Sequence, residues 1–462
     1  MNIKRRSPFG GKATVEIETG KKGLVKNIAS LGIVQLANYV LPLLSIPIIS
    51  RIIGPEKFGV INFSASFMAY FTLLIGFGFD LSATRKIAAA PSDSENRNRV
   101  FSEVFFCQMW LTIFCTVCFL VCLLTVPQLK SESKVAVFSF LVCISTFLTQ
   151  NWLFQAMQDL SKVALLNFIS KLLFTAIVLL IVSSKGKYIW YPLVLNAVNI
   201  IIAAISFTWG YKRYHIKLRF VALKKCLELL WQEKMIFFSL VVISLYTTTN
   251  IVILGLYHNA RQVAFYTSAQ RLIAIVQSLL TMPFYQALYP FIGRAFGESE
   301  KKGMMIAQKT VPLILIITAT ASLAMFFFGP WFLVLFYGNA FAPAVPVIRI
   351  LAFVPMIISI SNIFGIQIML NMKMDKYFFY ITACGAMFSV LLNFILLPPF
   401  GYIGSAINWL ITELIVNVSM YIVLRSKGLN PLNPKYFAVS ALMETVRPLS
   451  NKIFRRGVAQ GI

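Results

Sequence analysis

Apolar runs of membrane length recur from residue 28 almost to residue 425, broken by short polar stretches. A helix needs about 20 largely apolar residues to cross about 30 Å of hydrocarbon. On that measure the pattern predicts twelve spans: 28–50, 58–82, 104–126, 135–157, 163–183, 188–210, 235–257, 264–291, 310–336, 347–371, 377–397 and 402–424. The longest polar interior stretch, 211–234, divides them six and six. Within it, Phe220 to Leu230 is amphipathic enough to lie along the inner leaflet, with its basic residues near anionic lipid headgroups. The expected fold is an all-α integral membrane protein of about twelve transmembrane helices in two six-helix lobes. A basic tail (1–27), a first lobe (28–210), a basic linker (211–234), a second lobe (235–424) and a second basic tail (425–462) follow in order.

The two halves echo each other. A shift of 204 residues sets Lys57-Phe58-Gly59-Val60-Ile61-Asn62-Phe63-Ser64 against Arg261-Gln262-Val263-Ala264-Phe265-Tyr266-Thr267-Ser268, with few identities but matched polarity. A weaker echo pairs Gln155 and Met157 with Gln367 and Met369. Six spans is an even number, so both halves enter the membrane in the same direction and a pseudo-two-fold axis runs along the membrane normal. Parallel repeats of this kind point to transport through a site between the lobes.

Composition agrees with the bilayer as solvent: 58% of residues are hydrophobic and the mean hydropathy is +0.78. The net charge of +26 raises the question of a nucleic-acid partner, and the placement of the charge answers it. With the N-terminus inside, about 32 of the 42 basic residues face the cytoplasm and about 8 the other side, with Lys171 and Arg271 inside spans. That bias is the positive-inside rule, so topology accounts for the charge without nucleic acid. Both ends are expected in the cytoplasm, and residues 1–27, which lack an apolar core, read as a tail and not a signal peptide. Of the seven cysteines, Cys115, Cys118 and Cys122 form one helical stripe; with no histidine nearby, the stripe reads as apolar packing rather than a metal site.

No Walker loop, HExxH or nucleophile elbow is present, and Gly76-Phe77-Gly78 lacks the third glycine and strand of a dinucleotide site. Neither an enzyme nor a cofactor is expected, and any export would draw on an ion gradient. Charges inside spans are more telling, since each costs about 2.5–3.5 kcal/mol at a helix centre unless it finds a partner or water. The candidates are Asp80, Lys171, Arg271 and Glu413. Asp80 has Arg85 and Lys86 in reach as ion-pair partners. Uncharged polar stripes accompany them: Gln35, Asn38 and Tyr39 in the first span, Asn62 and Ser66 in the second, Tyr246 to Asn250 in the seventh. In the eighth, Thr267 and Arg271 share a face with Ser278, and Tyr266 and Gln270 lie beside them. Hydrogen bonding within a packed bundle explains part of this, and a wet cleft between the lobes explains its concentration in four spans. Pro42 and Pro47 each remove a backbone hydrogen bond from the first span and are candidate hinge points.

Ile49-Ser50-Arg51-Ile52-Ile53-Gly54-Pro55-Glu56-Lys57-Phe58-Gly59 resembles the polysaccharide transporter family of O-antigen and capsule flippases (Wzx-type), in the multidrug/oligosaccharidyl-lipid/polysaccharide exporter superfamily. Gly78-Phe79-Asp80-Leu81-Ser82-Ala83-Thr84-Arg85-Lys86, Trp152-Leu153-Phe154-Gln155-Ala156-Met157 and Ala264-Phe265-Tyr266-Thr267-Ser268-Ala269-Gln270-Arg271 are similar to later segments of that family, in the same order. The family's usual aromatic-glycine pair is replaced here by Val263-Ala264-Phe265. The resemblance implies a V-shaped bundle in a bacterial inner membrane that moves undecaprenyl-pyrophosphate-linked oligosaccharide outward by alternating access, driven by a cation gradient. It also implies membrane lipids and a polysaccharide polymerase with chain-length machinery as partners. On that reading Arg271, Gln270, Thr267, Tyr266, Gln35, Asn38, Tyr39, Asn62, Ser66, Asn250 and Lys171 line the substrate cleft, and Glu413 and Asp80 serve ion coupling. A drug or metabolite antiporter would show an acidic excess in the cleft, and a glycan-assembly enzyme would need a larger outer loop with paired acids. Reporter fusions after Lys217 and Lys427 are expected to score cytoplasmic, and fusions near Lys130, Lys187 and Asn339 external; reversal at two of these sites would overturn the orientation.

Overall fold

The computed structural model describes the backbone of residues 21–438 apart from 281, and side chains from residue 44 onward apart from 160, 161, 246, 280–287, 289 and 290. Gln35, Asn38, Tyr39, Pro42 and Tyr246 therefore have side chains outside the described residues. What is described is helical, with no strand. Eight helices are long and apolar enough to cross a membrane, or nine when Leu223–Leu245 and Thr249–Tyr257, bent by 50°, count as one. That measure falls short of the twelve spans expected. One reason is that Lys21–Gly76 and Asp375–Ser426 each run through a glycine outside helical dihedrals, Gly54 (φ 76°, ψ 172°) and Gly401 (φ 52°, ψ −129°). The other is that the eighth expected span, 264–291, extends over residues outside the described ones.

The break in the first long helix falls at Gly54 and at no proline. Among its residues only Gly54 leaves helical dihedrals, so Pro47 sits in continuous helix and Pro42 in helical backbone. A positive φ suits glycine because no Cβ meets the following carbonyl, and the turn it makes delivers the next five residues to separate tasks. Lys57 Nζ donates to Glu132 Oε1 at 2.8 Å and lies 4.7 Å from the Tyr188 ring centroid, while the Tyr188 hydroxyl donates to the other oxygen of Glu132. This ties the first long helix to the turn that joins Pro127–Ser131 to Ser133–Leu148 and to the short 3-10 helix Lys185–Ile189. Phe58 reaches the second lobe, edge-on to Tyr337 and Phe341 with centroids 5.8 and 5.7 Å away.

Gly59 brings the lobes into backbone contact. A Cβ there would lie 1.7 Å from the Ala260 carbonyl oxygen, and one on Gly255 would lie 2.1 Å from Phe63 Cδ2. Gln128 Nε2 donates to the Leu256 carbonyl at 3.0 Å, and Arg51 donates to that of Leu335. All of these contacts lie at the end that the basic-residue bias assigns to the outside. Small residues at such crossings let helices approach closely, which is how they associate where lipid is as apolar as the side chains.

At the other end the helix Leu223–Thr247 lies against the first lobe. Phe237 stacks on Phe77 with centroids 4.3 Å apart, and Glu233, almost fully buried, pairs with Lys86 at 2.6 Å. The helix runs unbroken through residues 234 and 235, so the latter part of the linker and the start of the seventh span are one rod. Phe220, Leu223, Leu227 and Trp231 are exposed, while Arg219 and Lys225 pair with Glu95 and Glu103 of the helix Ser94–Thr125. Gly59→Val is expected to lower the melting temperature of the purified protein by several degrees, because the Ala260 backbone has nowhere to go; Gly186→Val, with nothing within 4 Å, leaves it unchanged. Equal melting temperatures would show that the lobe contact is loose.

Candidate functional site

Ala260–Leu280 packs along Lys21–Gly76, one from each lobe. Arg271 projects from the former, half-buried, with its Nη2 3.5 Å from Asn62 Oδ1 on the latter. Asn62 is held in place by its own Nδ2, which donates to the Phe58 carbonyl at 2.7 Å. The guanidinium also adjoins the Tyr191 hydroxyl of the first lobe and lies near Tyr337 of the second. The Asn62 contact, at 3.5 Å, is at the limit of hydrogen bonding, and Tyr191 is the second polar side chain that the guanidinium meets among the described residues. No carboxylate among the described residues forms an ion pair with it. Nearby, Tyr70 and Thr249 share a 2.7 Å hydroxyl contact across the lobes, Gln270 Nε2 lies 3.5 Å from the Thr247 carbonyl, and Ser66 is half-buried one turn beyond Asn62.

The stripe around Arg271 does not stay together. Thr267 is buried and donates to the Val263 carbonyl of its own helix at 2.8 Å. Tyr266 has no exposed surface and turns to Asn250 within the second lobe. Asn250, also without exposed surface, accepts from Asn393 Nδ2 at 2.6 Å and from Asn408 Nδ2 at 3.1 Å. Asn408 in turn donates to the Ser389 carbonyl and accepts from Thr412 at 3.2 Å. Thr267, Tyr266 and Asn250 thus belong to a packed polar core and not to a cleft wall. In hydrocarbon an amide gains by bonding another helix, and these three amides join three helices. Asn393 and Asn408 had a signal in the sequence, as lone amides in apolar spans, but nothing in spacing shows that they meet Asn250.

The remaining candidates are spread over both lobes. Lys171 is half-buried on Leu160–Ile181. Glu413 is buried, accepts from Trp409 Nε1 at 3.4 Å, and lines a cavity of about 280 Å³ with Thr247, Gln277, Ser361 and Thr412. Asp80 forms no ion pair with Arg85 or Lys86, the latter being taken by Glu233. It lines a different cavity, inside the first lobe.

Two helical lobes, with a half-buried cation between them and a buried carboxylate at membrane depth, make up a multi-pass helical membrane fold. The solved structures agree in overall shape. "Lipid II flippase MurJ, inward closed conformation" matches with a TM-score of 0.69 over 90% of this chain and 90% of its own, at 14% identity. "Inward-facing conformation of a multidrug resistance MATE family transporter of the MOP superfamily" matches with a TM-score of 0.65 over 87% of this chain and 98% of its own, also at 14% identity. The family described as "Polysaccharide biosynthesis protein" matches residues 24–296, more than half of the chain, and the chain belongs to that family. An Escherichia coli (strain K12) protein named "Putative O-antigen transporter" is 28% identical over 414 residues, 89% of this chain and 99% of its own.

Removal of the Asn408 side chain by Asn408→Ala leaves Asn250 and Ser389 short of a donor, at a cost of about 1–2 kcal/mol. Thermal denaturation in detergent should show a lower melting temperature for this variant and none of that loss for Ser66→Ala. An unchanged value for Asn408→Ala would mean that the network adds nothing to stability.

Proposed function

We propose that this protein is a flippase that carries undecaprenyl-pyrophosphate-linked oligosaccharide from the inner to the outer leaflet of a bacterial inner membrane, with both chain ends in the cytoplasm. The observation that carries the reading is Arg271, a half-buried cation between the lobes with no carboxylate partner among the described residues. An unpaired charge at that depth is costly unless it meets an anion, and a pyrophosphate moving through the membrane needs a fixed cation that water does not screen. A guanidinium suits phosphate oxygens through its planar fork of donors. The names of the relatives support the same cargo class: one is an O-antigen transporter and one acts on lipid II.

Alternating access then follows from the lobe geometry. The contacts of Gly59 with Ala260 and of Gly255 with Phe63 hold the outer end together in this conformation. Cargo on Arg271 would separate those contacts as the lobes rock, while the stack of Phe77 on Phe237, already formed at the inner end, keeps the helix Leu223–Thr247 with the first lobe. Glu413 is the candidate for coupling to a cation gradient, being the carboxylate enclosed in the second lobe beside Thr247, where the seventh span bends. The partners of such a flippase are its lipid-linked cargo, membrane lipids, and a polymerase that uses the cargo on the outer face.

Arg271→Ala is expected to abolish surface glycan in a flippase-null strain at matched protein level, and Arg271→Lys to retain part of it, because charge survives while the fork is lost. Full complementation by Arg271→Ala would sink the cationic mechanism. Glu413→Gln is expected to bind cargo as the parent does but to lose the response of export to a collapsed gradient.

A further inference from the structure

Helices of the first lobe line an open cavity of about 320 Å³ whose walls are mainly polar although it lies among apolar spans, with Asp80 and Asn167 exposed in it. The polar lining includes Asp80, Gln108, Asn167, Ser170, Asn199 and Ser206. These residues are drawn from Phe79–Ala88, Ser94–Thr125, Leu160–Ile181 and Trp190–Arg213. Ser170 donates to Asn199 Oδ1 at 2.9 Å, and Gln150 Nε2 donates to Gln108 Oε1 at 3.1 Å. Asn167 makes no side-chain hydrogen bond to another described residue, and the Asp80 carboxylate forms no ion pair with one. Behind Gln108, Gln150 is almost fully buried and its Oε1 has no partner.

We propose that this cavity is the sugar subsite of the cargo path and holds a neutral pyranose ring, a proposal that rests on the flippase reading above. The volume lies at the small end of ligand sites, about 300–1,000 Å³, too large for a bare ion. Amides offer donor and acceptor together, and hydroxyls offer either, which is what a ring bearing hydroxyls on every side requires. Asp80, an acceptor only, takes two hydroxyl donors in charge-assisted bonds. Leu166 and Ile202 supply an apolar patch in the same lining for the C–H face of the ring. The lining carries no cation, so it does not compete with Arg271 for the pyrophosphate. Sugar and pyrophosphate are thereby read by different lobes, the sugar by the first and the phosphate by the eighth-span arginine of the second.

The test is binding to purified full-length protein in nanodiscs, with three probes: undecaprenyl pyrophosphate, the same lipid carrying N-acetylglucosamine, and free N-acetylglucosamine. The parent is expected to bind the glycosylated lipid about tenfold or more tightly than the bare one, the gain from one or two buried hydrogen bonds, and the free sugar far more weakly than either. Asn167→Trp, which fills the cavity, should erase the difference between the two lipids, and Asp80→Asn should shrink it, with bare-lipid affinity unchanged in both. Because Asn167 bonds no described residue, Asn167→Ala serves as a second variant that leaves the fold alone and also shrinks the difference. Arg271→Ala should weaken both lipids alike. A difference that survives Asn167→Trp and Asp80→Asn overturns the sugar subsite and leaves the flippase reading standing; so does a parent that shows no difference. Free sugar bound as tightly as the glycosylated lipid would assign the pocket to a soluble sugar and overturn the proposal, and a parent that binds neither lipid would remove the flippase reading as well.

Discussion

In a bilayer, a polar side chain on a helix is stable only where another helix, a cavity or the interface receives it, and this requirement organises the whole molecule. In the second lobe the amides of Asn250, Asn393 and Asn408 receive one another, and three helices are fixed together by that exchange. In the first lobe the polar side chains face a space instead. Asp80, Asn167 and Asn199 line a cavity that the surrounding apolar residues could have filled. Arg271 stands between these two solutions, in weak contact with Asn62 and beside Tyr191, with no carboxylate paired to it among the described residues.

In the alternating-access cycle proposed above the lobes part and meet again, which favours an interface that breaks without leaving charges buried. At the outer end the seal combines close backbone approach and ring edges, Gly59 against Ala260, Gly255 against Phe63, Phe58 against Tyr337 and Phe341, with bonds from Gln128 and Arg51 to the Leu256 and Leu335 carbonyls. Dispersion contacts of this kind vanish steeply with separation and leave no buried charge behind when broken. The charged clamp, Lys57 with Glu132, lies within the first lobe and survives any rocking of one lobe on the other. At the inner end Lys86 and Glu233 do cross between the linker helix and the first lobe, so that helix travels with the first lobe up to its bend near Thr247. A helix held by one lobe below the bend and by the asparagine core of the other above it links the two bodies mechanically.

Hydropathy, the bias of basic residues and the order of the Ile49–Gly59, Gly78–Lys86 and Ala264–Arg271 segments were enough to read a multi-pass helical membrane protein of two similar halves, because span length and family motifs are properties of the chain. They also singled out Arg271 and Asn62, which the structure brings within 3.5 Å. What the chain could not show was the direction in which each polar stripe faces. In a soluble helix the apolar face marks the interior, but lipid and bundle interior are equally apolar, so Thr267 and Arg271 share a stripe while one bonds its own helix and the other reaches the opposite lobe. The bend fell at Gly54 rather than at Pro47 because a positive φ reorients the chain, whereas a proline removes one hydrogen bond and leaves the helix running. The first-lobe cavity was equally out of reach of the sequence: its lining is scattered from Gly76 to Ser206, and only packing brings those helices round one space.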